Sequence, residues 1–295
     1  MEPFRRVIGI SLLLALIGLA AAVAYPLTVV DDLGREVVLD EEPRRIVSMI
    51  PSSTETVCAL GACDLLVGVD QFSNHPQAVA SLPRLGSAFS PNIEALVALE
   101  PDLVLADEYS GIAGMLEELG ITVYAGTPQT LEETFESFET LGRLLDRETE
   151  AALLRGRLLG EIEEVQRRVS ELPSPSVYFE VDATPYSVGP GSYVDELIAL
   201  AGGENIIGEG FAQFPQVDPE YIVAQDPDVI VLADAPFGVT SGSLAARPGW
   251  SSIDAVRDGR VMELTSEQVD AVSRAGPRVA EAVRLLAAFF HPDVL

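Results

Sequence analysis

Lysine is absent from this 295-residue chain, and all 18 of its basic residues are arginines. Set against 46 aspartates and glutamates, they leave a formal net charge of −28. Nucleic acids and anionic membranes are polyanions that bind basic surfaces. This strongly acidic chain repels them, so neither is an expected partner. Two explanations of the acidity stay open. One is adaptation to high salt, where ions screen the self-repulsion, and the other is an ordinary acidic secreted protein from a GC-rich genome.

Histidine and cysteine are nearly as scarce, with two of each in the chain. A zinc or manganese carrier holds its ion with several converging imidazoles, which His75 and His291 cannot supply, so we predict no bound metal and no cofactor. Cys58 and Cys63 are too few for a structural zinc site. Gly61 between them predicts a chain reversal that could bring the thiols together. The sequence allows either a local disulfide or two buried thiols.

Long apolar runs are missing too, apart from one at the N-terminus. There Arg5 and Arg6 precede an uncharged stretch that extends to Tyr25, and Ala22 and Ala24 form the small-residue pattern that signal peptidase recognises. We therefore predict a signal peptide over residues 1–24 and a mature protein in the periplasm or an equivalent extracytoplasmic space. An uncleaved membrane anchor is the alternative, because the run approaches the length that spans a bilayer.

Beyond the leader, short apolar runs alternate with amphipathic helical patterns. The runs at 46–50, 103–106, 177–181 and 229–233 are typical of buried parallel strands. Between them, apolar residues recur every three or four positions over 149–172, which predicts one helix about 36 Å long. We predict an α/β fold with two similar lobes on mainly parallel sheets: an N-terminal lobe over 25–148, a rigid linking helix over 149–172 and a C-terminal lobe over 173–295.

A weak internal repeat supports two related lobes. The sequence PNIE at 91–94 precedes a helical pattern and then PDLVLAD at 101–107. In the second half, QVDPE at 216–220 precedes a helical pattern and then PDVIVLAD at 227–234. In each copy a glutamate, Glu94 or Glu220, follows a good N-cap residue and should occupy the second position of a helix.

A series of short motifs, in order along the whole mature chain, resembles the periplasmic binding proteins of vitamin B12, haem and ferric-siderophore importers, whose lobes are joined by one long helix. The motifs are DLGR at 32–35, RIVS at 45–48, PSSTE at 51–55, ALG at 59–61, LVGV at 66–69, PDLV at 101–104, AGGEN at 201–205 and GPR at 276–278. The resemblance implies a monomer that captures a small molecule between its lobes and delivers it to an ABC permease dimer with its ATPase.

Two further motifs, FSNHP at 72–76 and FPQV at 214–217, look most like the cobalamin-binding branch of that family. A corrinoid is therefore the expected ligand, with haem or a ferric siderophore as the alternative. Siderophore complexes are often anionic and would need cleft arginines, for which Arg84, Arg247 and Arg274 are candidates.

Aromatic side chains concentrate in the loops that should meet between the lobes, and such surfaces suit a large flat ligand. Phe214 and Phe72 are the first candidates for stacking. Ser52 and Ser53 lie where a strand ends and a helix begins, although simple N-capping also explains serines there. The other expected ligand contacts are Phe89, Tyr109, Tyr186, Trp250 and Asp270. About half of the aromatics should prove to be core residues, and Asp270 could equally be a solvated loop residue.

The resemblance also implies one permease-docking glutamate on each lobe, and Glu94 and Glu220 match these positions. The alternative is that each merely complements its helix dipole. Catalysis is not expected, since the sequence has no Gly-x-Ser-x-Gly elbow, phosphate loop or His-Glu-x-x-His pattern. A secreted enzyme acting on a small molecule or sugar in the cleft is the less favoured alternative.

Overall fold

The computed structural model describes residues 25–294, in which one long helix separates the two larger sheets along the chain. Its α/β architecture with two lobes confirms the predicted fold class. The predicted signal peptide at 1–24 lies outside the described residues. Within 25–294, no helix is both long and apolar enough to cross a bilayer.

The first lobe contains a four-stranded parallel sheet in the order β4-β3-β7-β8. Helices cover both faces of this sheet, which explains why all four residues of β7 are buried and apolar. A hairpin of β1 and β2 packs beside β8, where the Asp32 N–H donates to the Ala125 carbonyl. The elements are β1 (Leu27–Val30), β2 (Glu36–Leu39), β3 (Ile46–Ser48), α1 (Pro51–Ala59), β4 (Leu66–Val69), β5 (Gly86–Ser87), β6 (Ser90–Pro91), α2 (Ile93–Ala98), β7 (Leu103–Ala106), α3 (Ile112–Glu118), β8 (Val123–Ala125) and α4 (Leu131–Leu144).

The long helix α5 covers Glu148–Val169 and packs on α4 and on the last helix of the chain. Its buried stripe is the predicted one, including Leu154, Leu158 and Ile162. The predicted end at Leu172 is wrong, because α5 stops three residues earlier. Pro173 explains this, because it has no N–H to donate to the Val169 carbonyl four residues earlier and its ring would clash with that carbonyl. The division into lobes at 25–148 and 173–295 stays a prediction.

The second lobe repeats the plan with the strand order β10-β9-β12-β13, and β11 pairs with the first two residues of β9. All its strand pairs are parallel except that of β10 with β9. The elements are β9 (Ser176–Asp182), β10 (Tyr186–Ser187), α6 (Tyr193–Leu200), β11 (Glu204–Asn205), α7 (Pro219–Gln225), β12 (Val229–Leu232), α8 (Ser241–Ala245), α9 (Asp254–Arg257), β13 (Val261–Glu263), α10 (Ser266–Ser273) and α11 (Val279–Phe290).

Cys58 and Cys63 are joined by a disulfide that closes the turn after α1, with their Cα atoms 4.1 Å apart. Gly61 lies between them with a φ of 76°, in the left-handed region that glycine enters without a steric cost. Of the two arrangements that the sequence allowed, the structure has the disulfide.

Candidate ligand-binding cleft

A cavity of about 270 Å³ lies between the two lobes. In parallel α/β sheets, ligands bind beyond the carboxyl ends of the strands, and here both lobes turn such ends toward the cavity. From the first lobe come Pro51 and Ser52, at the start of α1, and the segment 127–129 after β8. The second lobe and the turn after α10 complete the wall with Phe179, Val181, Val188, Tyr193, Val194, Phe214, Ala233, Ser273, Arg274 and Ala275.

The two walls of this cleft differ in chemistry. The first lobe presents the Ser52 hydroxyl together with Thr127 and Gln129, whereas the second lobe presents aliphatic and aromatic side chains. Phe214 remains 55% exposed although it lines the cavity, so its ring is available to a ligand. A flat ligand could therefore lie against the second lobe and form hydrogen bonds with the first.

A second cavity of about 390 Å³ adjoins the cleft and shares Ser52, Pro128 and Ala275 with it. We call this cavity the side chamber. Its wall is polar and contains no lysine, arginine or histidine from the described residues. It is lined by Val30, Asp32, Ser52, Ser53, Thr56, Tyr124, Gly126, Pro128, Glu133, Glu136, Ser137, Thr140, Leu141 and Ala275. Burial, followed by repulsion from Glu108 and Glu133, raises the pKa of the Asp32 carboxyl.

One arginine ties the two lobes together at the edge of the cleft. The Arg274 guanidinium lies 2.7 Å from the Glu55 carboxylate on α1 and 2.8 Å from the Asp270 carboxylate on α10. It also donates to the Asn74 side chain at 2.8 Å and to the Phe72 carbonyl at 3.0 Å. Because Arg274 is the only basic residue of the described chain that lines the cleft cavity, no unpaired cation faces a ligand there.

These contacts change the interpretation of Asp270. The sequence suggested a ligand contact or a solvated loop residue, but Asp270 pairs with Arg274 and accepts a hydrogen bond from Asn74 at 2.7 Å. The other two candidate arginines do not line the cleft cavity. Arg84 donates to backbone carbonyls, and Arg247 pairs with Glu180.

The predicted aromatic contacts lie in different places. Phe214 lines the cavity, and Phe72 is 56% exposed on the loop that Arg274 holds. Phe89, Tyr109 and Tyr186 are exposed but do not line the cavity. Trp250 requires a correction, because it is only 1% exposed in the core of the second lobe. Its ring packs edge-on against Tyr178, and the Arg247 guanidinium lies over it. Burying this large apolar surface in the core gains more free energy than exposing it on a loop would.

Several residues that line the cavity were not predicted from the sequence. Phe179, Val188 and Tyr193 belong to apolar strand and helix patterns, which predict core positions and not a ligand surface. Phe179 lies within β9, Val188 directly follows β10 and Tyr193 starts α6, and closeness to strand ends and a helix start is the one signal that could have identified them.

Glu94 and Glu220 occupy the equivalent helix positions that the repeat predicted. Asn92 caps α2 by accepting a hydrogen bond from the Ala95 N–H, and Asp218 caps α7 by accepting one from the Glu220 N–H. Both glutamates are exposed, and neither forms an ion pair with a residue of the 25–294 region. They are therefore free to contact another molecule.

A buried charged cluster lies behind the second-lobe wall of the cleft. Arg247 holds the fully buried Glu180 with two hydrogen bonds of 2.6 and 2.7 Å. Asp234 lies nearby and is 4% exposed, and neither of its carboxylate oxygens has a partner within the described chain. Burial, together with repulsion from Glu180, raises the Asp234 pKa from 3.8 to about 7.

This raised pKa predicts a pH-dependent stability. Between about pH 4 and 7, folded Asp234 holds a proton that the unfolded chain has released, so its contribution to stability falls as the pH rises through this range. The Asp234→Asn variant should therefore match the wild type at pH 4 and exceed its free energy of unfolding by about 1–3 kcal/mol at pH 8, measured by chemical denaturation. The exposed Asp258→Asn control should change it by less than about 0.5 kcal/mol at either pH. Equal stabilities of Asp234→Asn and wild type at pH 8 would contradict the prediction.

Comparison with known proteins adds independent information. The family model described as periplasmic binding protein matches residues 46–268. An uncharacterised ABC transporter substrate-binding lipoprotein of Bacillus subtilis is 32% identical over 280 residues, which are 91% of this chain and 87% of that protein. A cobalamin-binding protein of Halobacterium salinarum is 30% identical over 282 residues, 92% of this chain and 75% of that protein. The solved structure of a periplasmic haem-binding protein from Roseiflexus has a TM-score of 0.74 at 25% identity and covers 85% of this chain and 99% of that one.

Proposed function

This chain belongs to the periplasmic binding protein family, and we propose that it captures a corrinoid outside the cytoplasm and delivers it to the permease of an ABC importer. The observation that carries the proposal is the cleft itself. It combines an apolar second-lobe wall and an available Phe214 ring with a first-lobe wall of hydroxyl and amide groups. Among residues 25–294, it is lined by no unpaired cation.

The charge of the cleft favours a corrinoid over haem and over an anionic siderophore complex. Haem carries two carboxylates, and a carboxylate that leaves water without a cationic partner loses several kcal/mol of solvation. Arg274 could supply that partner only by leaving Glu55 and Asp270. The rim of a corrinoid carries neutral amides, which hydroxyl and amide side chains can satisfy. Similarity to a cobalamin-binding protein of Halobacterium salinarum supports the same choice.

Capture needs little movement of the lobes. The 22-residue helix α5 joins them, and the Arg274 contacts to Glu55 and Asn74 add a second connection at the cleft edge. A single rigid helix resists the wide hinge motion that a flexible linker permits. The protein then acts as a monomeric carrier with a mostly preformed cleft and no catalytic step. The Cys58–Cys63 disulfide supports an extracytoplasmic location, because disulfides persist in oxidising compartments.

A calorimetric titration with cyanocobalamin, haemin and a ferric siderophore tests the ligand. We expect cyanocobalamin to bind, and we expect the Phe214→Ala variant to bind it about 1–3 kcal/mol more weakly, which is roughly 5- to 150-fold in Kd. Phe237→Ala is the matched control, because Phe237 is an aromatic residue of the same lobe that is 87% exposed and does not line the cavity. Tight binding of haemin without any response to cyanocobalamin would overturn the corrinoid proposal and leave the carrier role in place.

A further inference from the structure

The start of α1 forms part of the wall of the side chamber. Ser52 and Ser53 are only 7% and 9% exposed, and both line the chamber. Neither hydroxyl has a hydrogen-bond partner within residues 25–294. In addition, the first backbone N–H groups of a helix have no acceptor inside the helix. Two largely buried serines at the start of a helix therefore line the same cavity with hydroxyls that have no partner in the described chain.

Three carboxylates, those of Asp32, Glu133 and Glu136, also line the chamber. Glu133 accepts hydrogen bonds from the Gln129 and Thr130 N–H groups and so caps its own helix, and Asp32 accepts one from the Thr127 N–H. Glu136 forms no hydrogen bond or ion pair within the described chain. With no base in the wall, the chamber repels an anion and attracts a group that donates hydrogen bonds.

The chamber opens beside the cleft, because Ser52, Pro128 and Ala275 belong to the walls of both cavities. A ring stacked on Phe214 could therefore keep its position in the cleft while one of its side arms entered the chamber. The volume of about 390 Å³ is ample for a short arm that ends in a polar group.

We propose that the side chamber is a specificity subsite that takes a primary amide arm of the cargo and excludes the corresponding carboxylate. This inference rests on the proposed corrinoid ligand. The amide NH₂ donates to Glu136, and the amide carbonyl accepts from the Ser52 and Ser53 hydroxyls at the start of α1. A carboxylate arm keeps the acceptor but loses the donor and places a negative charge beside Glu136 and Asp32, so it binds more weakly.

The test compares cyanocobalamin with its separated monocarboxylic acids, in each of which one propionamide is hydrolysed. Calorimetry at pH 7.5 with the wild-type protein should give at least one isomer that binds at least tenfold more weakly than cyanocobalamin. The Glu136→Gln variant should reduce that ratio at least threefold. Glu132→Gln is the matched control, because it removes the same charge from the same helix at an exposed position outside the chamber. It should leave the ratio unchanged.

Two further variants test the occupancy of the chamber. Ser137→Leu adds bulk from the α4 side and should weaken cyanocobalamin binding at least tenfold. Ser53→Ala removes one hydroxyl without adding bulk and should weaken binding severalfold, so the test survives if Ser137→Leu fails to fold in a thermal melt. The subsite proposal is overturned if the wild type binds cyanocobalamin and every monocarboxylic isomer with equal affinity. It is also overturned if Glu136→Gln leaves the affinity ratio unchanged and Ser53→Ala leaves the cyanocobalamin affinity unchanged. Either result leaves the corrinoid proposal intact. No binding of cyanocobalamin by the wild type overturns both.

Discussion

Replacing Arg274 by alanine should lower the free energy of unfolding by about 3–5 kcal/mol, because it leaves the Glu55 carboxylate in the interior without its cation. The Glu55 side chain is only 1% exposed, and its Oε2 atom has no partner within the described chain. Burial raises the Glu55 pKa even while Arg274 is present. Chemical denaturation at pH 7.5, followed by far-UV circular dichroism, measures the loss.

Two controls separate this effect from a general loss of charge. Arg257→Ala breaks an exposed ion pair with Asp254 and should change the free energy of unfolding by less than about 1 kcal/mol. Adding Glu55→Gln to Arg274→Ala should recover part of the loss, since the buried charge is then gone as well. If Arg274→Ala proves as stable as Arg257→Ala, the Arg274 contacts do not hold the lobes together.

Local patterns predicted the fold because its elements depend on nearby residues. The stripe of Leu154, Leu158 and Ile162 predicts a helix from its own spacing, and β7 is a run of four buried apolar residues because helices cover both faces of its sheet. Element ends were less accurate. The run at 46–50 is a strand only over Ile46–Ser48, and α5 ends at Val169 because Pro173 outweighs the apolar pattern that continues to Leu172.

Local patterns failed where a residue's role depends on a partner far along the chain. Asp270 was a candidate ligand contact, but the arginine that holds it also binds Glu55, and Arg274 and Glu55 are 219 positions apart. Arg247 was a candidate for the cleft, but it binds Glu180, which is 67 positions away and buried. Neither pairing leaves a signal in the local sequence. Phe214 does line the cavity, and its contact with a ligand stays a prediction.

The combined replacement of Glu94 and Glu220 by glutamine should abolish most transport while leaving ligand capture intact. Each glutamate is exposed at the second position of a capped helix, one in each lobe, and neither has an ion-pair partner within the described residues. We propose that they contact arginines of the permease, one at each end of the carrier. Truncating one partner of a close charge pair at an interface costs about 2 kcal/mol or more, so losing both should weaken the complex roughly 100- to 1,000-fold.

The glutamines preserve the size of both side chains and lie outside the cleft and the side chamber. Corrinoid affinity and the free energy of unfolding should therefore stay within error of the wild type, whereas binding to the permease in detergent or nanodiscs should fall. The wild-type complex should also weaken as salt rises, because screening acts on exposed charges, and the double variant should lose most of that dependence. Glu118→Gln combined with Glu209→Gln is the matched control, since it removes one exposed carboxylate from each lobe at positions unrelated to the repeat. If this control impairs transport as much as the Glu94 and Glu220 pair does, general surface charge accounts for docking and the two helix-start glutamates are not its contacts.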